Sequence, residues 1–271
     1  MSAPTSTRGR IGRWLLYLYA AAALVYLFVP IAWIVVFSFN EPARSYNVEW
    51  NRFTLANWRE PFSETALTEA FVESLKIAAI STAVATVLGS LIAIALSRYS
   101  FRGSGPLSFL IVLPLATPEV VIGSSLATLF LDWDVRRGFT TVVIAHIMFQ
   151  VSFVALTVRA RVRGFDWTLE QAAQDLGATP VRTFWKVTFP LILPGILAAA
   201  LLSFALSLDD FIITLFNAGS LSTFPLYING SFRVRFPPQV NVLATSVLIV
   251  SVLLMAAGVL WGLRNRRRVT A

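Results

Sequence analysis

The sequence has no cysteine, one histidine and few charges, and each shortage excludes a class of protein. Without cysteine there is no disulfide and no thiolate metal site, and a lone histidine cannot make a metal site. Charged residues make up 13% of the 271 residues, whereas a soluble domain has about 25%. The sequence also contains no GxxxxGK[ST], HExxH or GxSxG motif. We therefore expect neither an enzyme nor a cofactor or ATP site in this chain.

Long apolar stretches are abundant instead, since 56% of the residues are hydrophobic. A membrane-spanning helix needs about 20 predominantly apolar residues. Six stretches qualify, at about 14–39, 70–96, 107–131, 139–158, 190–215 and 240–263. The first is longer than the apolar core of a signal peptide, about 7 to 15 residues, so we expect it to be retained. The fold class is all-α: a polytopic membrane protein with six transmembrane helices in one domain over 1–271.

The distribution of positive charge predicts the orientation of these helices. Of the Lys and Arg residues outside the spans, 14 lie on the side of the two termini and seven on the other side. Because positive loops stay in the cytoplasm, both termini are predicted to be cytoplasmic. The loop at about 159–189 is then cytoplasmic, and the loop at about 40–69 is outside. The net charge of +8 is an orientation signal, and no nucleic acid is expected as a partner.

The outer loop contains four aromatic residues among acids, Trp50, Phe53, Trp58 and Phe62. Aromatic rings are common at the membrane–water interface. The same residues also suit a docking surface for an outside partner. The sequence leaves both interpretations open.

The cytoplasmic loop contains a polar, alanine-rich segment that predicts a helix. Thr168 and Gln171 have the spacing of a capping box. One predicted apolar face consists of Leu169, Ala172, Ala173 and Leu176. Gly177 is placed to end the helix in a left-handed conformation.

A second short helix is predicted directly after this turn. Thr179 followed by Pro180 is an N-cap with proline at the first helical position. Val181, Phe184 and Trp185 would form its apolar face. The loop is thus a helix, a sharp turn and a second helix at the cytoplasmic surface. The alternative is an amphipathic hairpin resting on lipid.

Three acids lie away from the ends of the apolar stretches, although an acid at a helix centre costs about 2.5 to 3.5 kcal/mol on insertion scales. In the fifth stretch one polar stripe is predicted, consisting of Ser203, Ser207, Asp210, Thr214 and Asn217. We assign Asp210 on this stripe to the substrate pathway. Asp209 lies about 100° away, beside apolar residues, and is assigned to helix packing or to a partner subunit. The alternative is that both only bond neighbouring helices.

The third acid follows a proline. Pro118, together with Pro114, is expected to break the third span. Glu119 beside this break fits the pathway and a structural role equally well. His146 and Gln150, one turn apart in the fourth span, are expected to make packing hydrogen bonds, and no metal site is predicted.

The cytoplasmic loop resembles the EAA loop of ABC importer permeases. The matching residues are Glu170, Ala172, Ala173, Gly177 and Ala178, followed by Pro190, Pro194 and Gly195. The resemblance extends to "ESLKIA" at 73–78 and to "LPLATPEVVIG" in the third span. It implies a type I ABC importer permease fold, in which this loop is the coupling helix. That helix sits in a cleft of a separate ATPase subunit, which binds the ATP and Mg.

The segments "LSLDDFIIT" at 206–214 and "TFPLYINGSFR" at 223–233 resemble the second permease of spermidine/putrescine-type importers. The implied substrate is a polyamine or a similar organic cation. The implied partners are a homologous second permease, an ATPase dimer and an extracytoplasmic solute-binding protein, in a bacterial inner membrane. The alternatives are a permease for another small solute, such as an amino acid or a sugar, and an ion-coupled secondary transporter.

Overall fold

The structure, a computed structural model, describes residues 7–269. These residues form twelve α-helices, a π-helical segment and a two-stranded antiparallel sheet. The first elements are α1 (Thr7–Phe37), β1 (Asn40–Glu41), β2 (Arg52–Phe53), α2 (Ala56–Arg59) and α3 (Thr65–Arg98). The next are α4 (Ser104–Ala116), α5 (Glu119–Asp132), α6 (Phe139–Val162), α7 (Thr168–Asp175) and α8 (Pro180–Thr183). The last are the π-helical segment (Phe184–Thr188), α9 (Phe189–Asp209), α10 (Ile212–Asn217), α11 (Phe224–Val234) and α12 (Pro238–Val269).

The all-α prediction with six spans is confirmed. Five helices in the described part of the chain are long and apolar enough to cross a membrane. The pair α4 and α5, bent by 105° at its junction, makes a sixth span when the two helices are counted together as one broken span.

The break in the third span lies where the prolines predicted it. Thr117 has an extended backbone with ψ 134, because the ring of Pro118 excludes the helical conformation for the residue before it. The hydroxyl of Thr117 donates to the Leu113 carbonyl at 2.8 Å. This bond satisfies one of the backbone groups that the broken helix leaves without a partner.

The fifth span departs from the predicted single helix in two ways. Its start is continuous with α8 through the π-helical segment, so the predicted separate surface helix is in fact the N-terminal end of the span. Its outer part breaks at Asp210, which has an extended backbone with φ −63 and ψ 123. The predicted continuous polar stripe is therefore wrong, because residues before and after Asp210 belong to two helices. No glycine or proline marks this break, so helical periodicity alone did not show it.

The described residues form two compact units. In the unit of residues 66–229, α3, α6 and α9 pack around a small-residue core. Gly89 permits a close approach of α3 and α6, since a Cβ there would lie 2.7 Å from the Val154 side chain. Small residues of this kind let helix backbones approach in a membrane, where lipid supplies no hydrophobic drive for association.

The other unit comprises residues up to 65 and from 230 onward. Asn40 organises the outer loop: it bonds Asn47 at 2.8 Å and the Asn51 backbone at 2.9 Å. Phe39 stacks on both Phe53 and Trp58. The outer loop is thus folded, while Trp50, Phe53 and Phe62 remain largely exposed. The docking and membrane-belt interpretations both stay predictions.

Candidate coupling and translocation sites

The coupling hairpin, residues 166–188, begins at Asp166. The Asp166 carboxylate accepts hydrogen bonds from the Thr168 backbone at 3.0 Å and from the Thr168 hydroxyl at 2.7 Å. These bonds lower the pKa of Asp166, so the cap is charged at neutral pH and is lost only in acid. The prediction of Thr168 as the N-cap is wrong, since Thr168 is already the first residue of α7 and Asp166 does the capping.

The turn after α7 confirms the role predicted for Gly177. Its φ is +87, in the left-handed region that glycine adopts without strain. The Gly177 N–H donates to the Gln174 carbonyl, and the Ala178 N–H donates to the Ala173 carbonyl. This pair of bonds is a Schellman motif, which fixes the end of the helix. The predicted Thr179 cap with Pro180 in the first turn is also present.

Glu170, the first of the residues that match the EAA loop, lies inside the chain at 5% exposure. Its carboxylate forms an ion pair with Arg98 at 2.7 Å and accepts a hydrogen bond from the Thr188 hydroxyl. The Arg98 guanidinium also lies over the Trp167 ring, 5.5 Å from its centroid. Glu170 therefore ties α7 to the C-terminal end of α3 and to the π-helical segment at the start of the fifth span.

The apolar face of the hairpin points outward instead of packing inside the chain. Leu176 is 90% exposed and Val181 is 69% exposed, and Leu169 and Trp185 are also exposed. Ala172 is exposed, while Ala173 and Ala178 are half-buried. Exposed apolar groups of this size at the end of a membrane protein suit a protein partner.

Substitution of Gly177 tests the turn without a steric complication. A Cβ at this position meets nothing within 4 Å, so the cost of valine is the left-handed backbone alone, about 1–2 kcal/mol. We expect Gly177→Val to lower transport by about fivefold or more, at normal membrane levels by immunoblot. Asparagine tolerates this conformation better, so Gly177→Asn should retain more transport. Equal activity of the two variants and the parent would contradict the account.

Asp210 is buried within this chain. Its carboxylate accepts from the Thr214 backbone at 2.8 Å and the Thr214 hydroxyl at 2.7 Å, which makes it the side-chain cap of α10. The His146 ring lies 3.2 Å away, and the Asp210 side chain is only 5% exposed. Asp210 therefore caps α10 at the break, with its side chain turned into the chain. The sequence pattern instead assigned Asp210 to the substrate pathway.

The other polar residues of the predicted stripe are also buried: Ser203, Ser207, Thr214 and Asn217. Ser207 lies 3.2 Å from Ser81 of α3, and the Ser203 carbonyl accepts from Gln150 at 3.3 Å. Polar groups of this kind hold membrane helices together. The prediction of packing hydrogen bonds for His146 and Gln150 is confirmed.

Two carboxylates remain exposed at the breaks of the two broken spans. Asp209 is the last residue of α9 and Glu119 is the first residue of α5, and both are exposed. Neither has a hydrogen bond or ion pair in the part of the chain that the structure describes. Asp209 is therefore not buried in helix packing within this chain, whereas the Asp210 side chain turns inward to cap α10. A contact between Asp209 and a partner subunit stays a prediction.

The half-helices beyond the two breaks pack against each other. Asn217 of α10 donates to the Gly123 carbonyl of α5 at 3.2 Å. A Cβ at Gly123 would lie 3.0 Å from the Phe216 ring and 3.2 Å from the Ile213 backbone, so glycine permits the contact. The two broken spans therefore contact each other directly beyond their breaks. Within residues 7–269 no cluster of three metal-ligating acids or histidines occurs.

A helical membrane protein with broken spans, exposed carboxylates at the breaks and a rigid surface hairpin has the features of a transport permease. Residues 85–269 match the family of binding-protein-dependent transport system inner membrane components. The chain belongs to this family and is an inner-membrane protein.

Three bacterial transport permeases are similar in sequence to this chain. The chain is 36% identical over 248 residues to the spermidine/putrescine transport system permease protein PotC of Escherichia coli K12, covering 91% of this chain and 93% of that protein. It is 36% identical to the putrescine transport system permease protein PotI of the same organism, covering 82% of each chain. PotC of Haemophilus influenzae is 37% identical over 85% of this chain and 89% of that protein.

Solved structures confirm the fold. A bacterial ABC transporter for alginate import has a TM-score of 0.66 at 13% identity, covering 94% of this chain and 99% of that chain. The methionine ABC transporter MetNI has a TM-score of 0.59 at 16% identity, covering 71% of this chain and 93% of that chain. The chain therefore has the type I ABC importer permease fold.

Proposed function

We propose that this chain forms half of the translocation pathway of an ATP-driven importer for a polyamine or a similar organic cation. The observation that carries the proposal is the pair of exposed carboxylates, Asp209 and Glu119, at the breaks of two packed spans. The curated relatives named above, which are spermidine and putrescine permeases, support the same substrate class.

The two carboxylates suit a flexible polycation. Moving an ammonium group into the apolar part of a membrane is costly, and an opposite charge in a low-dielectric region lowers that cost. A polyamine has two or more ammonium groups on an apolar chain, so separate carboxylates can each receive one group. In this account Asp209 and Glu119 bind the ammonium groups of the substrate, and Asp210 stabilises the break between α9 and α10.

The energy comes from a separate ATPase that binds ATP and Mg. The exposed apolar face of the coupling hairpin, with Leu169, Leu176 and Val181, is its docking surface. A push on α7 reaches α3 and α9 through Glu170, Arg98 and Thr188. A second homologous permease completes the pathway, and an outside solute-binding protein delivers the substrate.

Purification of the tagged chain from its own bacterium tests this assembly. We expect an ATPase and a second, similar permease to co-purify in stoichiometric amounts. Leu176→Glu should remove the ATPase from the complex, because it places a charge on the docking surface, while the second permease stays. Retention of the ATPase by this variant would contradict the assigned surface.

Orientation is testable by cysteine labelling, since the parent chain has no cysteine. Ser220 and Thr179 are both exposed. We expect Ser220→Cys to react with a membrane-impermeant thiol reagent added to spheroplasts, and Thr179→Cys to react only after permeabilisation. The reverse pattern would overturn the cytoplasmic assignment of both termini.

A further inference from the structure

His146 is the most buried ionisable side chain near the break between α9 and α10, at 1% exposure. It lies in the middle of α6, a different span from the one that breaks. The proposed function gives it no task, although its ring makes hydrogen bonds to residues on both sides of that break.

The two nitrogens of His146 bond the two sides of the break. Nδ1 lies 2.7 Å from the Ser207 hydroxyl, which belongs to α9. Nε2 lies 3.2 Å from the Asp210 carboxylate and 3.0 Å from the Thr214 hydroxyl of α10. The imidazole therefore spans the interruption and fixes the last turn of α9 relative to the first turn of α10.

The hydrogen bonds can all be satisfied at once. The Asp210 carboxylate only accepts, so Nε2 is the nitrogen that carries a proton toward it. In the neutral ring, Nδ1 then accepts from the Ser207 hydroxyl. The Ser207 oxygen also lies 3.2 Å from the Ser81 hydroxyl of α3, which can donate either to Ser207 or to the Ile77 carbonyl at 2.7 Å.

This network decides which of the adjacent aspartates is exposed. Because Asp210 is drawn inward by Thr214 and His146, the extended backbone at residue 210 leaves Asp209 outside. Loss of the His146 link frees Asp210 to leave the cap, and the position of the Asp209 carboxylate changes with it.

We propose that His146 is the positioning residue of the translocation site: it holds the break in the geometry that presents Asp209 to the substrate. This inference rests on the proposed function, because it assumes that Asp209 binds the cation. It assigns His146 an effect on the selectivity of transport and not only on the stability of the chain.

The test uses the complete importer in cells and compares uptake of a divalent and a trivalent polyamine, putrescine and spermidine. The quantity compared is the ratio of kcat/KM for putrescine to kcat/KM for spermidine. This ratio does not depend on the amount of active complex, so lower stability alone leaves it unchanged. A displaced carboxylate changes the ratio, since the two substrates differ in the spacing of their charges.

Three variants separate the contacts of the ring. A glutamine amide extends as far from the backbone as Nε2, and an asparagine amide extends as far as Nδ1. We expect His146→Gln to keep the ratio within about twofold of the parent, while His146→Asn and His146→Leu change it by about fivefold or more, the equivalent of about 1 kcal/mol. The matched control is Gln150→Leu, which removes one hydrogen bond between α6 and α9 away from the break and should leave the ratio unchanged.

Asp209→Asn distinguishes failure of this inference from failure of the proposed function. Normal uptake by Asp209→Asn would overturn the pathway role of Asp209. Loss of uptake by Asp209→Asn, with an unchanged ratio in His146→Asn and His146→Leu, would overturn the positioning role alone. If those two variants do not reach the membrane, Thr214→Val removes the hydroxyl that bonds both Nε2 of His146 and the Asp210 carboxylate, with little change in volume. An unchanged ratio in Thr214→Val would then count against the inference.

Discussion

Replacement of Glu170 by alanine is expected to uncouple ATP hydrolysis from transport and to reduce uptake by more than tenfold. Removing one partner of a buried ion pair costs about 3–5 kcal/mol. The Arg98 side chain is 32% exposed, so solvent screens its unpaired charge and the cost lies near the lower end of that range. The Thr188 hydroxyl loses its acceptor as well. The helix α7 would then remain on the ATPase but no longer move α3 and α9. The measurements are ATP hydrolysis and substrate uptake by the same purified complex in proteoliposomes.

Two variants control for this prediction. Asp175→Ala removes an exposed acid from the end of the same helix and should transport normally. The double variant Arg98→Met with Glu170→Met should be less impaired than Glu170→Ala, because it leaves no unpaired buried charge. Full coupling in Glu170→Ala, or an equal loss in Asp175→Ala, would contradict the role of the ion pair in transmission.

Replacement of Asp209 by asparagine is expected to reduce cation uptake on the order of 100-fold, which corresponds to roughly 2.5 to 3.5 kcal/mol of lost charge stabilisation. Asparagine has nearly the same size, so the complex should assemble and hydrolyse ATP at its basal rate. Uptake of labelled putrescine or spermidine, normalised to the amount of complex, measures the loss.

Asp210→Asn is the matched comparison one residue along. The asparagine carbonyl can still accept from the Thr214 backbone and hydroxyl, so the cap of α10 is retained in part. We expect a smaller loss of uptake together with lower thermal stability of the purified complex. Normal uptake by Asp209→Asn combined with a steep loss in Asp210→Asn would reverse the assignment.

Much of the fold was predictable because its signals are local. Stretches of about 20 apolar residues predict spans in any context, and the effect of Pro118 on Thr117 is a steric rule between neighbours. Gly177 and the pair Thr179 and Pro180 likewise determine their turn and cap without help from distant residues. These elements lie where the sequence placed them.

The arrangement of the polar residues was not predictable because it depends on contacts distant in sequence. Glu170 is an exposed residue on any isolated helix, and only the approach of Arg98, 72 positions earlier, buries it. Asp210 is likewise buried against His146, 64 positions earlier. A helical wheel assumes an unbroken helix. It therefore did not show that the Asp210 side chain turns inward at the break while Asp209 stays exposed. The sequence signal that was available is the pattern Asp-x-x-x-Thr at 210–214, in which an aspartate can cap a new helix.

The most direct test of the central claim is accumulation of labelled spermidine by proteoliposomes that contain the complex purified with this chain. We expect uptake when ATP and Mg are present on the side of the membrane where the ATPase lies and the solute-binding protein is added on the opposite side. Uptake should stop when a non-hydrolysable analogue replaces ATP, and it should be unaffected when ion gradients are dissipated. Accumulation that needs an ion gradient but no ATP would contradict the account, as would ATP-driven uptake of another solute with none of spermidine or putrescine.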